Sequence, residues 1–478
     1  MKIRPLLITS VACITVLSSL AEPPKPKKKA KPDDTKDLYT QYCMSCHGET
    51  GEGGMAPTFL DDEWKYGSDD KSIAKVIREG ALAGGMPPFG ALLDEEKTRA
   101  LVVYIRELRL KHERKTVPLN RPKFGDTVET DEHTFKIEEL ASIEGDSFWG
   151  ANFMPDGSIL LTGFNGQLFI YKDGQLSESV KGLPEPRVQG QGGMMDAVAH
   201  PDYAKNGWIY LAYAELSGDK RCATRVVRGR IKDGMWVDEE TILRPDPETQ
   251  TNGGIHFGGR LIIDDTYVYA TMGDRGKMEN AQMLDNAYGK IHRVYHDGSI
   301  PEDNPFVNTP GAVKSIYTYG NRNPQGIALH PITGDLWESE HGPRGGDEIN
   351  IIKNGLNYGW PVITHGINYN GKPISAITEK EGMEQPEHYW TPSIAVGGID
   401  FLQSRAFPKW NNDLMVTGLG RQQLHRLTIK DDKVVNEEIL FKGLGRLRDV
   451  ACGPDGYIYL AVEDKGKWGK LARLVPVK

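Results

Sequence analysis

The sequence predicts a multidomain chain: a small all-α domain followed by an all-β six-bladed β-propeller. Three observations predict it. Residues 37–113 carry apolar positions at helical spacing. From about residue 131 the pattern becomes short apolar strands joined by Pro-Asp-Gly-type turns. One such hairpin then recurs six times, which is the mark of a repeat architecture.

The chain has 478 residues, enough for two to four domains. Charged residues make up 26% and hydrophobic residues 38%, as in a soluble globular protein. A formal charge of −8 argues against nucleic acid as the main partner. The first 21 residues read as a secretory signal peptide: Lys2 and Arg4 precede an apolar stretch, and Ser19 and Ala21 suit cleavage after Ala21. The run is too short and too spotted with Ser and Thr for an anchor, and no other stretch reads as a transmembrane segment. The expected location is therefore periplasmic or otherwise exported. Residues 22–36, rich in Pro and Lys, read as a linker.

In 37–113, "DKSIAKVIREG" ends on Gly80, a C-cap signal, and "LDEEKTRALVVYIRELRLKHE" is an amphipathic helix with an acidic first turn. Between them and the leading helix lies "CMSCH". Cys43 and Cys46 are spaced for two thioether bonds to haem c, and His47 is placed to ligate the iron. This makes 37–113 a cytochrome c domain. Met86, in "GGMPPFG", is the expected second axial ligand, with Met55 the alternative and Met44 inside the motif. Of the five cysteines, Cys13 leaves with the leader; Cys222 and Cys452 read as two buried thiols, or as a pair in an exported protein.

Residues 114–130, with two prolines and no clear period, read as a second linker. Residues 131–478 hold the hairpins "GANFMPDGSILLTG", "DAVAHPDYAKNGWIYLAY", "GGRLIIDDTYVYATMGD", "GIALHPITGDLWESE", "GGIDFLQSRAFPKWNNDLMVTG" and "DVACGPDGYIYLAVE". A sandwich accounts less well for six copies of one unit than a propeller does. If the first strand of each hairpin is innermost, the unusual residues share a phase. Gln191, His256, Arg322, Asn323, Arg446 and Arg448 precede inner strands; Asp274, Gly342 and Pro343 follow second strands. Both loop classes open on one face of the propeller, which becomes the expected site.

"YGNRNPQGIALHPITGDLWESEHGPRGGDEINIIKNGLNYGWP", with "GQGGMMDAVAHPD", "IHFGGRLIIDD", "MGDRG" and "GRLRDVACGPDG" in the same order, resembles the soluble aldose sugar dehydrogenases that use pyrroloquinoline quinone (PQQ), over roughly residues 131–478. The resemblance implies oxidation of an aldose at C1 to its lactone. It implies that Gln191, Arg322, Asn323, Arg446 and Arg448 bind PQQ, whose carboxylates call for guanidinium forks and amides. It makes His256 the general base, oriented by Asp274, and sets Arg322 against the charge that develops on the quinone. It assigns Ca2+ to the carbonyls of Gly342 and Pro343, and a structural Ca2+ to Glu348 and the carbonyl of Tyr358, with help from Asp347. One departure stands out. Where some members place a Lys near the cofactor, this chain has Gly420 and Arg421.

No P-loop, His-Glu-x-x-His or Gly-x-Ser-x-Gly motif is present. The expected protein is a quinohaemoprotein that passes sugar electrons to its own haem and then to a soluble cytochrome or the respiratory chain. The rivals are a related enzyme acting on another aldehyde or alcohol such as a sorbosone, and a carbohydrate-binding propeller without turnover.

Overall fold

The computed structural model describes residues 34–116, 121–464 and 466–477. The expected leader and most of the first linker lie outside the described residues. Four helices form the amino-terminal domain: α1 (Asp34–Tyr42), α2 (Met44–His47), α3 (Asp70–Glu79) and α4 (Glu95–Thr116). Each boundary has a local cause. The Asp69 carboxylate caps α3 by accepting from Ser72 N at 2.9 Å, and Gly80 ends it at φ +78°. Asp94 caps α4 through Lys97 N at 2.8 Å. Glu95 and Glu96 then meet the positive end of the helix dipole, and Arg114 and Lys115 the negative end. Tyr39, Ile73, Ile77, Leu101, Tyr104, Ile105 and Leu108 interlock the helices in one small core. Among the described residues no helix is long and apolar enough to cross a membrane.

The second domain is the six-bladed propeller. Its inner strands are Phe148–Phe153, Met194–Ala199, Leu261–Ile263, Pro324–Leu329, Val396–Phe401 and Arg446–Cys452, for blades 1 to 6. Each pairs with the second strand of its own predicted hairpin, and successive inner strands pack side by side until blade 6 meets blade 1. Blade 6 closes the ring. Its strands Arg446–Cys452, Ile458–Asp464 and Trp468–Pro476 come from the carboxyl end, and Thr134–Glu144 from the start of the domain completes it. Phe135 and Ile137 of that strand are fully buried.

Both expected linker boundaries move. α1 begins at Asp34, inside the segment read as linker. Likewise α4 runs to Thr116, and Thr127–Glu129 is not linker but a fifth strand of blade 6, paired with Thr134–Lys136. The prolines concealed this. Val128 and Phe124 pack on the blade 6 core, and Phe124 meets Trp468 edge-on at 6.5 Å, so tertiary burial holds a segment with little periodicity of its own.

Buried carboxylates stitch neighbouring inner strands together. Asp196 accepts from Leu261 N of blade 3 and Asn152 of blade 1; Asp449 accepts from Ala151 N; Asp400 accepts from Cys452 N. Arg260 crosses the central channel to Asp449 at 2.6 Å, lies 4.2 Å over the Trp149 ring and donates to Gln325 O and Arg448 O. The channel is therefore plugged by a hydrogen-bonded charge cluster, directly beneath the loops read as the site. Cys222 and Cys452 are free thiols.

Candidate active site

In blades 1, 2, 4, 5 and 6 the inner strand shifts register near its first residues. Such bulges re-aim side chains at a sheet's rim. In blade 6 the shift falls between Leu447 and Asp449, and both Arg446 and Arg448 then reach one carboxylate oxygen of Glu463, at 2.9 and 3.0 Å. The two arginines thus lie within the first strand residues rather than ahead of the strand, and they share one acceptor.

His256 stands at the centre. Its backbone is left-handed, φ +53°, an unusual state for a residue other than glycine. It is held there by Gln191, whose Oε1 accepts from His256 N at 2.6 Å. The His256 Nδ1 meets Asp274 Oδ1 at 2.6 Å. Asp274 is fully buried and also accepts from Gly276 N at 2.7 Å and Trp360 Nε1 at 2.8 Å. Burial alone would raise the Asp274 pKa, but the bonds from His256 and the nearby Arg322 hold it below the ordinary carboxylate value. Burial lowers the pKa of His256, with Arg322 adding to the effect, so the imidazole is neutral near pH 7.

Arg322 lies over the Trp360 ring at 5.3 Å and donates from Nη1 to His341 O and Gly342 O, both at 2.7 Å. Glu340 accepts from the backbone N of Arg322 at 2.5 Å and of Asn323 at 3.3 Å. Asn323 Oδ1 accepts from Gly258 N at 3.1 Å. The 341–346 turn is tight: a Cβ on Gly342 would fall 1.9 Å from Gly346 O. Asp347 braces it by accepting from Gly342 N at 3.0 Å and Val396 N at 3.2 Å. Ser393 donates to Pro343 O at 3.1 Å. Arg421 donates to Pro392 O at 2.5 Å.

Among the described residues, the buried donors without a partner on this face include Arg322 Nε, Asn323 Nδ2 and Arg448 Nε. Buried donors are rarely left so. An acceptor-rich group bearing several carboxylates fits them. Beside Arg322, a cavity of about 10 Å³, room for one water-sized body, is lined by Glu340, Glu348, Tyr358 and Trp360. Glu338 and Glu348 are pushed well above the ordinary range by burial and by neighbouring Glu340, and Glu338 Oε1 has no partner. Crowded carboxylate oxygens are the donor set a hard dication takes. Among the described residues no three His, Cys, Asp or Glu side chains already converge on one point, so any ion held here would need backbone carbonyls too.

In the helical domain, Cys43 and Cys46 are free thiols and the His47 ring stacks on Phe59 at 4.2 Å. His47 Nδ1 lies 3.2 Å from Pro57 O, which leaves Nε2 for a metal. Met86 packs against the same core as Cys43, Tyr42 and Trp64, whereas Met55 is 81% exposed. Buried Trp64 Nε1 has no acceptor, as expected beside a group that brings one.

Sequence reasoning missed Glu340, Trp360 and Glu463, which orient the predicted residues. Glu340 and Glu463 end or nearly end second strands, next to the loops that the phase argument singled out but outside them; Trp360 carried no signal beyond its place in "NYGWP".

Comparison with known proteins gives the family and the fold. The aldose sugar dehydrogenase YliI of Escherichia coli (strain K12) is 40% identical over 336 residues, 69% of this chain and 90% of that protein. The apo crystal structure of the soluble aldose sugar dehydrogenase from Escherichia coli superposes with a TM-score of 0.67 at 38% identity, covering 72% of this chain and all of that one. The PQQ-bound aldose sugar dehydrogenase from Streptomyces coelicolor gives 0.58 at 25% identity, covering 72% and 98%. Residues 30–105 match the family of cbb3-type cytochrome c oxidase subunit III, and residues 146–473 match the glucose/sorbosone dehydrogenase family. The chain belongs to the glucose/sorbosone dehydrogenase family, with a cytochrome c domain fused ahead of its propeller.

Proposed function

We propose that the protein is an exported quinohaemoprotein that oxidises an aldose at C1 to its lactone with PQQ and passes the electrons to its own covalently held haem. The observation that carries this reading is the buried His256–Asp274 pair, set among unpartnered cationic or amide donors.

PQQ supplies a two-electron quinone acceptor when bound. Arg446, Arg448, Arg322 and Asn323 would hold it, the last three with buried donors that have no partner in the protein. Gln191 serves by fixing the backbone of His256. With Nδ1 committed to Asp274, the other ring nitrogen is the one available to take the C1 hydroxyl proton. Asp274 then stabilises the imidazolium that forms. Arg322 sets its positive charge beside the same space. Gly342 O and Pro343 O would hold one Ca2+, with Arg322 giving up a bond to Gly342 O. Glu348 and the Tyr358 carbonyl would hold the other, and Asp347 supports the turn between them. In the helical domain, Cys43, Cys46, His47 and Met86 would hold the haem.

The test uses the holoprotein with PQQ and Ca2+ and a panel of aldoses, sorbosone and simple alcohols, read at the reduced-haem absorption band. Sugar-dependent haem reduction that needs all three additions, and that is lost in His256→Ala, is the expected result. Preference for sorbosone would move the substrate within the family. Absence of quinone binding would leave a carbohydrate-binding propeller.

A further inference from the structure

α4 of the helical domain has two occupied faces. Ala100, Val103 and Glu107 lie on one stripe at helical spacing. Ala100 and Val103 form a buried cluster with Ile367 of the propeller. Glu107 and Arg344 make a two-pronged ion pair, Nε to Oε1 at 2.7 Å and Nη2 to Oε2 at 2.6 Å, with side chains only 18% and 12% exposed. Arg99 grips the carbonyls of Ser375 at 2.6 Å and Ala376 at 2.9 Å. At the start of α1, Asp34 N donates to Asn370 O at 3.1 Å and Thr35 Oγ1 to Gly371 O at 3.0 Å. The other stripe of α4, Leu101, Tyr104, Ile105 and Leu108, belongs to the core that contains Cys43, Met44 and Met86. One helix, about 10–12 Å thick with its side chains, therefore separates the haem-binding core from the propeller.

The propeller segment on the far side is the wall of the candidate active site. Arg344 directly follows Pro343. Its turn is gripped from within by Arg322 and Asp347 and from without by Glu107. A Cβ on Gly345 would lie 3.6 Å from Val103 Cγ2, so the turn rests directly on α4. A flexible tether would let the haem domain sample many positions. A desolvated fork-to-fork pair, backed by an apolar contact and backbone bonds at two further points, selects one.

We propose that this contact is a fixed electron-transfer interface: α4 seats the haem domain on the 341–346 turn, electrons from the sugar site reach the haem through it, and Glu107–Arg344 is its latch. The proposal rests on the quinohaemoprotein reading. Each aldose gives up two electrons and two protons on becoming a lactone. The protons leave to solvent. A haem held there would take one electron at a time, ferric to ferrous, so an external one-electron acceptor would have to reoxidise it before the second crosses.

The experiment uses the full-length holoprotein with PQQ, Ca2+ and glucose. Stopped-flow haem reduction is compared with steady turnover of a phenazine dye that takes electrons directly from the dehydrogenase. Glu107→Arg and Arg99→Ala should slow haem reduction by about tenfold or more, as the fixed contact becomes a loose tether. Dye turnover should hold, and Lys97→Gln, off the contact, should change neither. Adding Arg344→Glu to Glu107→Arg should restore part of the haem rate. Haem reduction at the wild-type rate in both latch variants would overturn the interface while leaving internal transfer standing. Equal loss of dye turnover and haem reduction would also overturn it, making the contact a brace for the active site. A wild-type haem that stays oxidised while the dye is reduced would instead sink the internal-transfer reading itself.

Discussion

The two domains build their sites in opposite ways. In the helical domain, Cys43, Cys46 and His47 sit within five residues, and one turn of chain presents them together. In the propeller, residues from Gln191 to Arg448 converge from four blades, and none means much alone. A local motif needs only a small helical core to display it. A distributed site needs the whole ring closed, with register, bulges and channel charges all correct. The propeller site should therefore be far more sensitive to remote damage than the haem motif.

The largest expected effect tests the independence of the two chemistries. His256→Ala should lower sugar turnover by about 10²–10⁴-fold, the usual contribution of a positioned base, while the haem spectrum stays unchanged. Asp274→Asn should give a smaller loss, mostly in kcat, because the ring loses its enforced tautomer but not its place.

Remote damage comes next. Arg260→Ala leaves Asp449 and Asp196 buried without their cation, at a cost of about 3–5 kcal/mol. Chemical denaturation followed by tryptophan fluorescence should show the propeller transition moving, and the haem absorption transition staying. Movement of both together would mean that the contact along α4 makes one cooperative unit of the two domains.

Within the haem domain, Met86→Ala should remove a ligand, shift the haem spectrum and lower its potential, and Met55→Ala should do neither. Dye-linked sugar oxidation should be indifferent to both. Redox titration of the two variants decides the pair.

The smallest effect is in pH. Burial lowers His256 below its ordinary 6.5, so the neutral, proton-accepting form persists as pH falls through that value. A kcat/KM profile with a dye acceptor should stay level there and drop only at lower pH. A drop centred at 6.5 or above would mean that the imidazole is not depressed.

Much of this was legible in the chain. The spacing of Cys43, Cys46 and His47 is a property of the local sequence, and so is the cap at Gly80. The six hairpins were readable because a turn and two flanking strands are local, and because a repeat is its own control. Their shared phase placed His256, Asp274 and Arg322 on one face without any contact being known. What failed was whatever depends on partners far along the chain. Thr127–Glu129 read as linker because its strand character comes from Thr134–Lys136 and the blade 6 core rather than from its own pattern. Glu463 was invisible as the anchor of Arg446 and Arg448, since nothing in "LAVED" says which arginines will face it.

The sequence by itself determined the parts: the haem motif, the number of blades and the face that carries the polar loops. These follow from periodicity, turn chemistry and spacing, which act over a few residues. Only the tertiary structure decided the arrangement: Thr134–Glu144 closing blade 6, Arg260 filling the channel, Trp360 and Glu340 orienting the site, and Glu107 meeting Arg344. Those depend on which surfaces exclude water from one another and which buried charges must then find a partner, and that is settled only when the ring closes and α4 comes to rest against it.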